Sequence, residues 1–279
     1  MRPDGRALVA VPWLLPRPPA TGYGHPRCYL NHTGDCSAKI SKEHYISHAV
    51  LRSIRGRLVV HGAPWLPAGV SKQINAKVLV SKILCERHNR CLSPLDDAVG
   101  KLFETIAMIY NDFRQGSELK TTSWHLSSGE MLELWGMKVI FGLYHSRIAS
   151  SNRSPLLNSY LLDPTKLVQA LASGHLQDPC GLYVDTARVK QTQTVRPGVL
   201  AIPIGTHEPP KIGGVQIGIH GLEFDIIFDP SAVQQKRIKQ SDYRPRYLTF
   251  RRALRRHTIV LTWPSRVQRE PELEVIFPE

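Results

Sequence analysis

The chain has 279 residues, 42% hydrophobic and 21% charged, so it can bury a real core and is not disordered along its whole length. Lys+Arg number 36 against 23 Asp+Glu, a net charge of +13 that points to a polyanionic partner and carries nothing about fold. No run of about 18 apolar residues occurs, which excludes a membrane-spanning helix.

The N-terminal stretch carries Arg2 and Arg6 ahead of apolar residues from Ala7 to Leu15. Pro12 and Pro16 interrupt those residues and no small-x-small cleavage site follows. The expectation over 1–24 is therefore a Pro-rich, poorly ordered leader and not an export signal. Five cysteines, Cys28, Cys36, Cys85, Cys91 and Cys180, are too few and too unevenly placed for a disulfide scaffold. Their odd number reads as a reducing, cytoplasmic setting with thiols available to a metal.

Two cysteine-bearing segments lie about fifty residues apart. Cys28 and Cys36 flank a turn containing Gly34, and Cys85 and His88 have the two-residue gap of a zinc knuckle. Thiolate and imidazole together suit tetrahedral Zn²⁺. The expected structural zinc ligands are Cys28, Cys36, Cys85 and His88, with Cys91 as the substitute for His88. Between the pairs, Leu51 to Val80 reads as an insertion carrying Arg52, Arg55, Arg57, Lys72 and Lys77 without an acid. It suits either a solvated loop or one facing phosphates.

After Cys85, apolar spacing through Val99, Leu102, Phe103, Ile106 and Ile109 predicts a helix opening at Ser93. There Ser93 has the position of an N-cap, Pro94 of the first turn, and Asp96 of the acid three residues on. A second helix is expected behind Ser127 to Glu130, with Met131, Leu132, Leu134, Trp135, Val139, Ile140, Leu143 and Tyr144 on its apolar positions. A third runs from Pro164 to Ser173 and stops at Gly174. Beyond Cys180 the texture changes to short β-prone runs: Gly181 to Val184, Val199 to Ile204, Val215 to Ile219, Leu222 to Phe228 and Thr258 to Trp263. A turn at His220-Gly221 and a stop at Asp229-Pro230 suit an antiparallel meander or sandwich.

The excess charge is concentrated late in the chain. Gln234 to Arg269 holds eleven Lys/Arg and one acid, Asp242, or +10. Arg251, Arg252, Arg255 and Arg256 are spaced to share one face of a short helix, with Tyr243, Tyr247 and Phe250 interleaved. This reads either as a solvated surface or as a nucleic-acid-binding patch with stacking partners. No Gly-x-Gly-x-x-Gly, Walker A or Gly-x-Ser-x-Gly element is present, so nucleotide-driven and acyl-transfer chemistry have no support.

Over residues 25–115, Glu43-His44-Tyr45-Ile46-Ser47, then Leu84-Cys85-x-x-His88-Asn89, then Leu92-Ser93-Pro94-Leu95-Asp96 resemble the HNH endonuclease family. That is the ββα-metal, or treble-clef, class of nucleases. The resemblance implies an α+β fold with a zinc-containing strand–loop–strand–helix finger at 25–115. The resemblance ends there; the helix and strand patterns above give a helical region at 116–179 and a basic, mostly antiparallel β region at 180–279.

By the same resemblance, His44 is the general base that activates water. Glu43 stands at an acidic metal-ligand position, and Asn89 orients the base or completes the metal shell. A Mg²⁺ or Mn²⁺ ion would serve the reaction. Many members carry a histidine on the closing helix where this chain has Asp96, so Asp96 is either a ligand or a helix cap. The implied activity is metal-dependent hydrolysis of phosphodiesters, DNA first, in a bacterial defence or mobile-element setting, with no membrane partner. RNA, and assembly with a second copy or a partner subunit, stay open. The alternative is a non-catalytic zinc module that binds nucleic acid or protein.

Overall fold

The computed structural model describes residues 14–44, 46–54, 58–61, 70–75, 79–115, 120–146, 150–151, 154–155, 160–185, 198–205, 209–234, 241–263 and 272–277. Residues 1–13 of the expected leader lie outside them, as do Arg55, Arg57 and Lys77 of the insertion.

The first half of the chain is built on one hairpin and one long helix. Strand β1 (Ile40–His44) pairs antiparallel with β4 (Val80–Cys85), joining Ile40 to Cys85 and His44 to Val80. Between them lie helix α1 (His48–Ser53) and the small hairpin of β2 (Leu58–His61) and β3 (Ser71–Ile74). Helix α2 (Glu86–Arg114) follows β4 directly.

The helix expected to open at Ser93 begins seven residues earlier, with Cys85 as its N-cap, and runs unbroken through Pro94. Pro94 has no N–H to give the Arg90 carbonyl, and the Ser93 hydroxyl donates to that carbonyl instead at 2.9 Å. Ser93 is therefore a repair inside the helix and not its cap, and the capping reading of Asp96 falls with it.

Strand β5 (Thr122–Ser128) leads straight into α3 (Gly129–His145). Ser128 caps α3 by accepting the Met131 N–H at 3.1 Å, as the Ser127 to Glu130 start predicts. The short strands β6 (Ser150–Ser151) and β7 (Ser154–Pro155) pair with each other. Helix α4 (Pro164–Ser173) ends at Gly174 in the left-handed conformation, φ 75°, as expected of a C-terminal glycine.

Two sheets complete the chain. The first has the order β12 (Ser241–Tyr243), β8 (Gly181–Asp185), β11 (Leu222–Ile227), β10 (Lys211–Ile219), β9 (Gly198–Ile204), and is antiparallel throughout. Its central hairpin turns at His220 and Gly221, both at positive φ (51° and 75°), the two-residue turn that suits strand twist.

The second sheet, β15 (Glu272–Ile276), β13 (Tyr247–Arg252), β14 (Arg255–Thr262), β5, is mixed. β13 pairs parallel with β15, and β14 pairs parallel with β5, which departs from a plain meander. The α+β expectation holds, and among the described residues no helix is long and apolar enough to cross a membrane.

A large buried cluster runs from Leu14 to Val275 and draws on all three segments expected at 25–115, 116–179 and 180–279, while a smaller one gathers Tyr183, Ile202, Ile204, Ile227 and Ala232. Helix α3 lies at the centre of the larger and packs on α2 and on β8, β10 and β11. It is buried without interruption from Leu132 to Gly142, yet carries two charges, Glu133 and Lys138. Glu133 accepts from Arg244 Nε at 2.8 Å and Nη2 at 3.1 Å, and from the Leu182 amide at 2.7 Å. Arg244 is 1% exposed and Glu133 0%, so this pair ties α3 to the five-stranded sheet.

Burial already raises the Glu133 carboxyl to about 7; replacing Arg244 by Leu removes its counter-charge and leaves it buried as a protonated acid with fewer partners. A loss of about 3–5 kcal/mol is expected at neutral pH, read as a fall in the urea midpoint. The E133Q/R244L pair should cost less than the sum of its single changes.

Candidate metal and acid–base sites

The four expected zinc ligands converge. Cys28, Cys36, Cys85 and His88 are all buried, with their ligand atoms within 4.8 Å of one another. His88 Nδ1 lies 3.5 Å from Cys28 Sγ, 3.6 Å from Cys36 Sγ and 3.1 Å from Cys85 Sγ. A tetrahedral Zn²⁺ with ordinary Zn–S and Zn–N bonds sets sulfur and nitrogen about 3.5 Å apart. The group can thus hold a metal such as zinc. Cys91 stands outside it and does not replace His88.

Local sequence explains the convergence. The chain turns through a short 3-10 segment at Asn31–Thr33 and reverses at Gly34, φ 66°, a conformation that favours glycine. Cys36 is then returned beside Tyr23, to whose carbonyl its amide donates at 2.7 Å. Thr33 gives its hydroxyl proton to the Leu30 carbonyl at 2.8 Å. Its oxygen lies 3.1 Å from His88 Nε2 and therefore accepts from Nε2–H. The Nδ1 lone pair is left facing the thiols.

Burial pushes the Cys28 and Cys36 thiols up. Cys85 goes the other way, because the amides of His88 and Ser37, each 3.4 Å from its sulfur, outweigh burial. Burial takes His88 down to about 4, which keeps the imidazole neutral and able to ligate.

The same unit fastens part of the expected leader. Arg87, on the first turn of α2, pairs with Asp35 at 3.0 Å and donates to the carbonyls of Arg17 (2.6 Å) and Pro19 (3.0 Å). Leu14 is 2% exposed within the core, so residues 14–24 are held and are not a loose leader. A cavity of about 640 Å³ runs along this unit, lined among others by Arg27, Asn31, His32, Lys82 and His145.

At the far end of β1 lies a second group. His44 ends the strand, its Nε2 is buried without a hydrogen-bond partner among the described residues, and its ring centroid is 5.3 Å from that of His48. Burial and His48 hold the His44 imidazole below the usual histidine value of 6.5. Glu43, 5% exposed, has Oε1 2.5 Å from Lys138 Nζ. Asp96, reaching in from α2, accepts from the same ammonium through Oδ2 and from the Ser47 hydroxyl through Oδ1. Trp135 Nε1 donates to that hydroxyl oxygen at 2.7 Å. Burial alone would lower Lys138, but the two carboxylates outweigh it and hold the ammonium above its ordinary range.

The structure thus gathers Glu43, His44 and Asp96, but not Asn89. Asn89 is on the first turns of α2, seven residues before Asp96, or about 10 Å along the helix axis. Sequence reading missed Lys138. Its signal is a charge inside the otherwise apolar stretch Leu134 to Phe141, which requires a partner once the helix is buried.

The arginine cluster is also placed differently. Arg251, Arg252, Arg255 and Arg256 sit on the β13–β14 hairpin and not on a helix. Arg251 pairs with Glu274 at 2.9 Å, Arg256 with Glu272 at 2.8 Å and Arg255 with Asp112 at 3.4 Å, while Arg252 donates to the Phe113 carbonyl. The short helix expected to carry these four on one face is corrected accordingly: they lie on two paired strands.

The metal group can be checked by content. The purified chain should carry about one zinc per molecule. C85S should lose it along with a large part of its thermal stability, whereas C91S should retain both, as measured by elemental analysis and calorimetry. No family model, curated protein or solved structure matches this chain.

Proposed function

We propose that this chain hydrolyses phosphodiester bonds of nucleic acid, with His44 as general base, in a zinc-stapled finger of the HNH type. The observation that carries the reading is His44 itself. An imidazole ends β1 with a buried ring nitrogen that has no hydrogen-bond partner among the described residues, beside the two acids that the resemblance assigns to the same site. A buried nitrogen without a partner costs stability, and such sites concentrate where chemistry needs the lone pair.

In the proposed step, His44 removes a proton from water as the water oxygen forms a bond to phosphorus. The bond from phosphorus to the leaving sugar oxygen breaks, and that oxygen takes a proton from solvent. Arg27 and Lys82, along the cavity beside β4, supply cations for the substrate backbone.

Mg²⁺ or Mn²⁺, expected at Glu43, Asn89 and Asp96, does not fit this arrangement. Asn89 is two helical turns away, and the Lys138 ammonium engages both carboxylates. The engagement of both acids favours one second reading, a zinc module that binds nucleic acid or a protein without cutting.

Supercoiled DNA and single-stranded RNA incubated with zinc-loaded protein, with and without Mg²⁺ or Mn²⁺, distinguish the two. His44→Ala should lower cleavage by at least about 100-fold while leaving the zinc content and the melting temperature in place. Unchanged cleavage removes His44 from the role, and binding without any cleavage favours the second reading. Because burial and His48 hold His44 below 6.5, its base form predominates at neutral pH. The rate should fall only as the pH drops through a value under 6.5, read from a pH–rate profile.

A further inference from the structure

We infer that Lys138 is the resident cation of the Glu43–Asp96 pair, and that this site takes up no divalent ion. The inference rests on the reading of Glu43 and Asp96 as the acidic pair beside His44.

The two carboxylates come from different elements, β1 and α2, and meet at a single positive centre on a third, α3. That is the arrangement in which a hard cation would be held by acidic oxygens. The position is filled by the chain's own ammonium. Glu43 Oε1 is 2.5 Å from Lys138 Nζ. Asp96 has both oxygens engaged, Oδ2 by Lys138 and Oδ1 by Ser47.

Three features fix the lysine there. Its side chain is 2% exposed, so it does not share its charge with water. It stands on a helix buried continuously from Leu132 to Gly142, so its backbone cannot withdraw without opening the core. Trp135, one turn earlier on the same helix, holds Ser47 at 2.7 Å, and Ser47 holds Asp96. The ion pair and this hydrogen-bonded chain therefore set the acids as one unit.

A divalent ion on either carboxylate would sit within a few ångström of a buried ammonium, where like charges repel with little screening. It would also lack its third expected ligand, since Asn89 lies about 10 Å along α2. Lys138 touches no substrate. It is a positioning residue that neutralises the acids next to His44 and fixes their orientation.

The test is Mn²⁺ binding to the zinc-loaded full-length chain, followed by the loss of the free-ion signal in electron paramagnetic resonance. Zinc occupancy is checked throughout, because the thiolate site prefers zinc. Wild type should show no Mn²⁺ site tighter than roughly 1 mM. K138M, which keeps the length and apolar stem of the side chain, should gain one site at least about tenfold tighter. Adding D96N or E43Q to K138M should remove that site.

The inference is overturned by a wild-type Mn²⁺ site that D96N or E43Q abolishes. It is equally overturned by a folded, zinc-loaded K138M that gains no site. Should K138M fail to fold, the comparison of wild type with D96N still decides the matter. Failure of cleavage in the His44 experiment leaves these binding results untouched, so the two readings stand or fall separately.

Discussion

A charge carried into a protein core must find its counter-charge there, and α3 carries two. Lys138 finds Glu43 and Asp96, while Glu133 finds Arg244. The remainder of the helix from Leu132 to Gly142 is apolar or small and buried. It would pack in several rotations and registers if apolar contact alone positioned it, because burial is non-directional. Two ion pairs five residues apart, aimed at opposite parts of the chain, allow far fewer. Such pairs add little net stability over a well-packed apolar core, and a role in specifying one arrangement explains their presence better. In this molecule, that arrangement is what brings β1, α2 and the five-stranded sheet around a common helix.

The Cys/His group supplies the constraint at the other end of the same hairpin. The segment from Tyr23 to Cys36 has little secondary structure, and its 3-10 turn contributes no buried residue. Its order comes from thiols drawn to one point, from Thr33 on His88, and from Asp35 on Arg87. A divalent metal there would reverse the reluctance of the buried Cys28 and Cys36 thiols to ionise. The metal group adjoins Ile40 through Cys85, and the ion group begins at Glu43, about 10 Å along β1 by strand rise. One holds the hairpin to α2, and the other holds it to α3.

What the sequence reveals follows from how local each feature is. The start of α3 at Ser128, the stop of α4 at Gly174, and the β10–β11 turn at His220-Gly221 depend on neighbours within a few residues, and all three are legible. The ligands Cys28, Cys36, Cys85 and His88 are legible because thiols in spaced pairs have few other uses. The start of α2 is misread because Ser93-Pro94 carries a strong local signal for a helix beginning. Tertiary packing and the Ser93 hydroxyl override that signal. Lys138 is invisible to periodicity, because its partners are 95 and 42 positions away in a chain of 279. The Arg251 to Arg256 spacing fits a helix face, but Ala253 and Leu254 form the turn of a hairpin there, with Ala253 at φ 47°.

The same non-locality changes the meaning of the net charge. Counted along the sequence, Gln234 to Arg269 is a block of +10; five of its eleven cations lie outside the described residues, and acids from elsewhere in the chain answer four of the others. Glu133, Asp112, Glu272 and Glu274 pair with Arg244, Arg255, Arg256 and Arg251. Pairing leaves the total of +13 unchanged, so long-range attraction to a polyanion persists. It flattens the local potential at the hairpin, however, because each arginine there faces a carboxylate or a carbonyl within a few ångström. A phosphate approaching the hairpin would have to compete with those partners. Arg27 and Lys82, both exposed beside the Cys/His group, line a cavity along β4 instead.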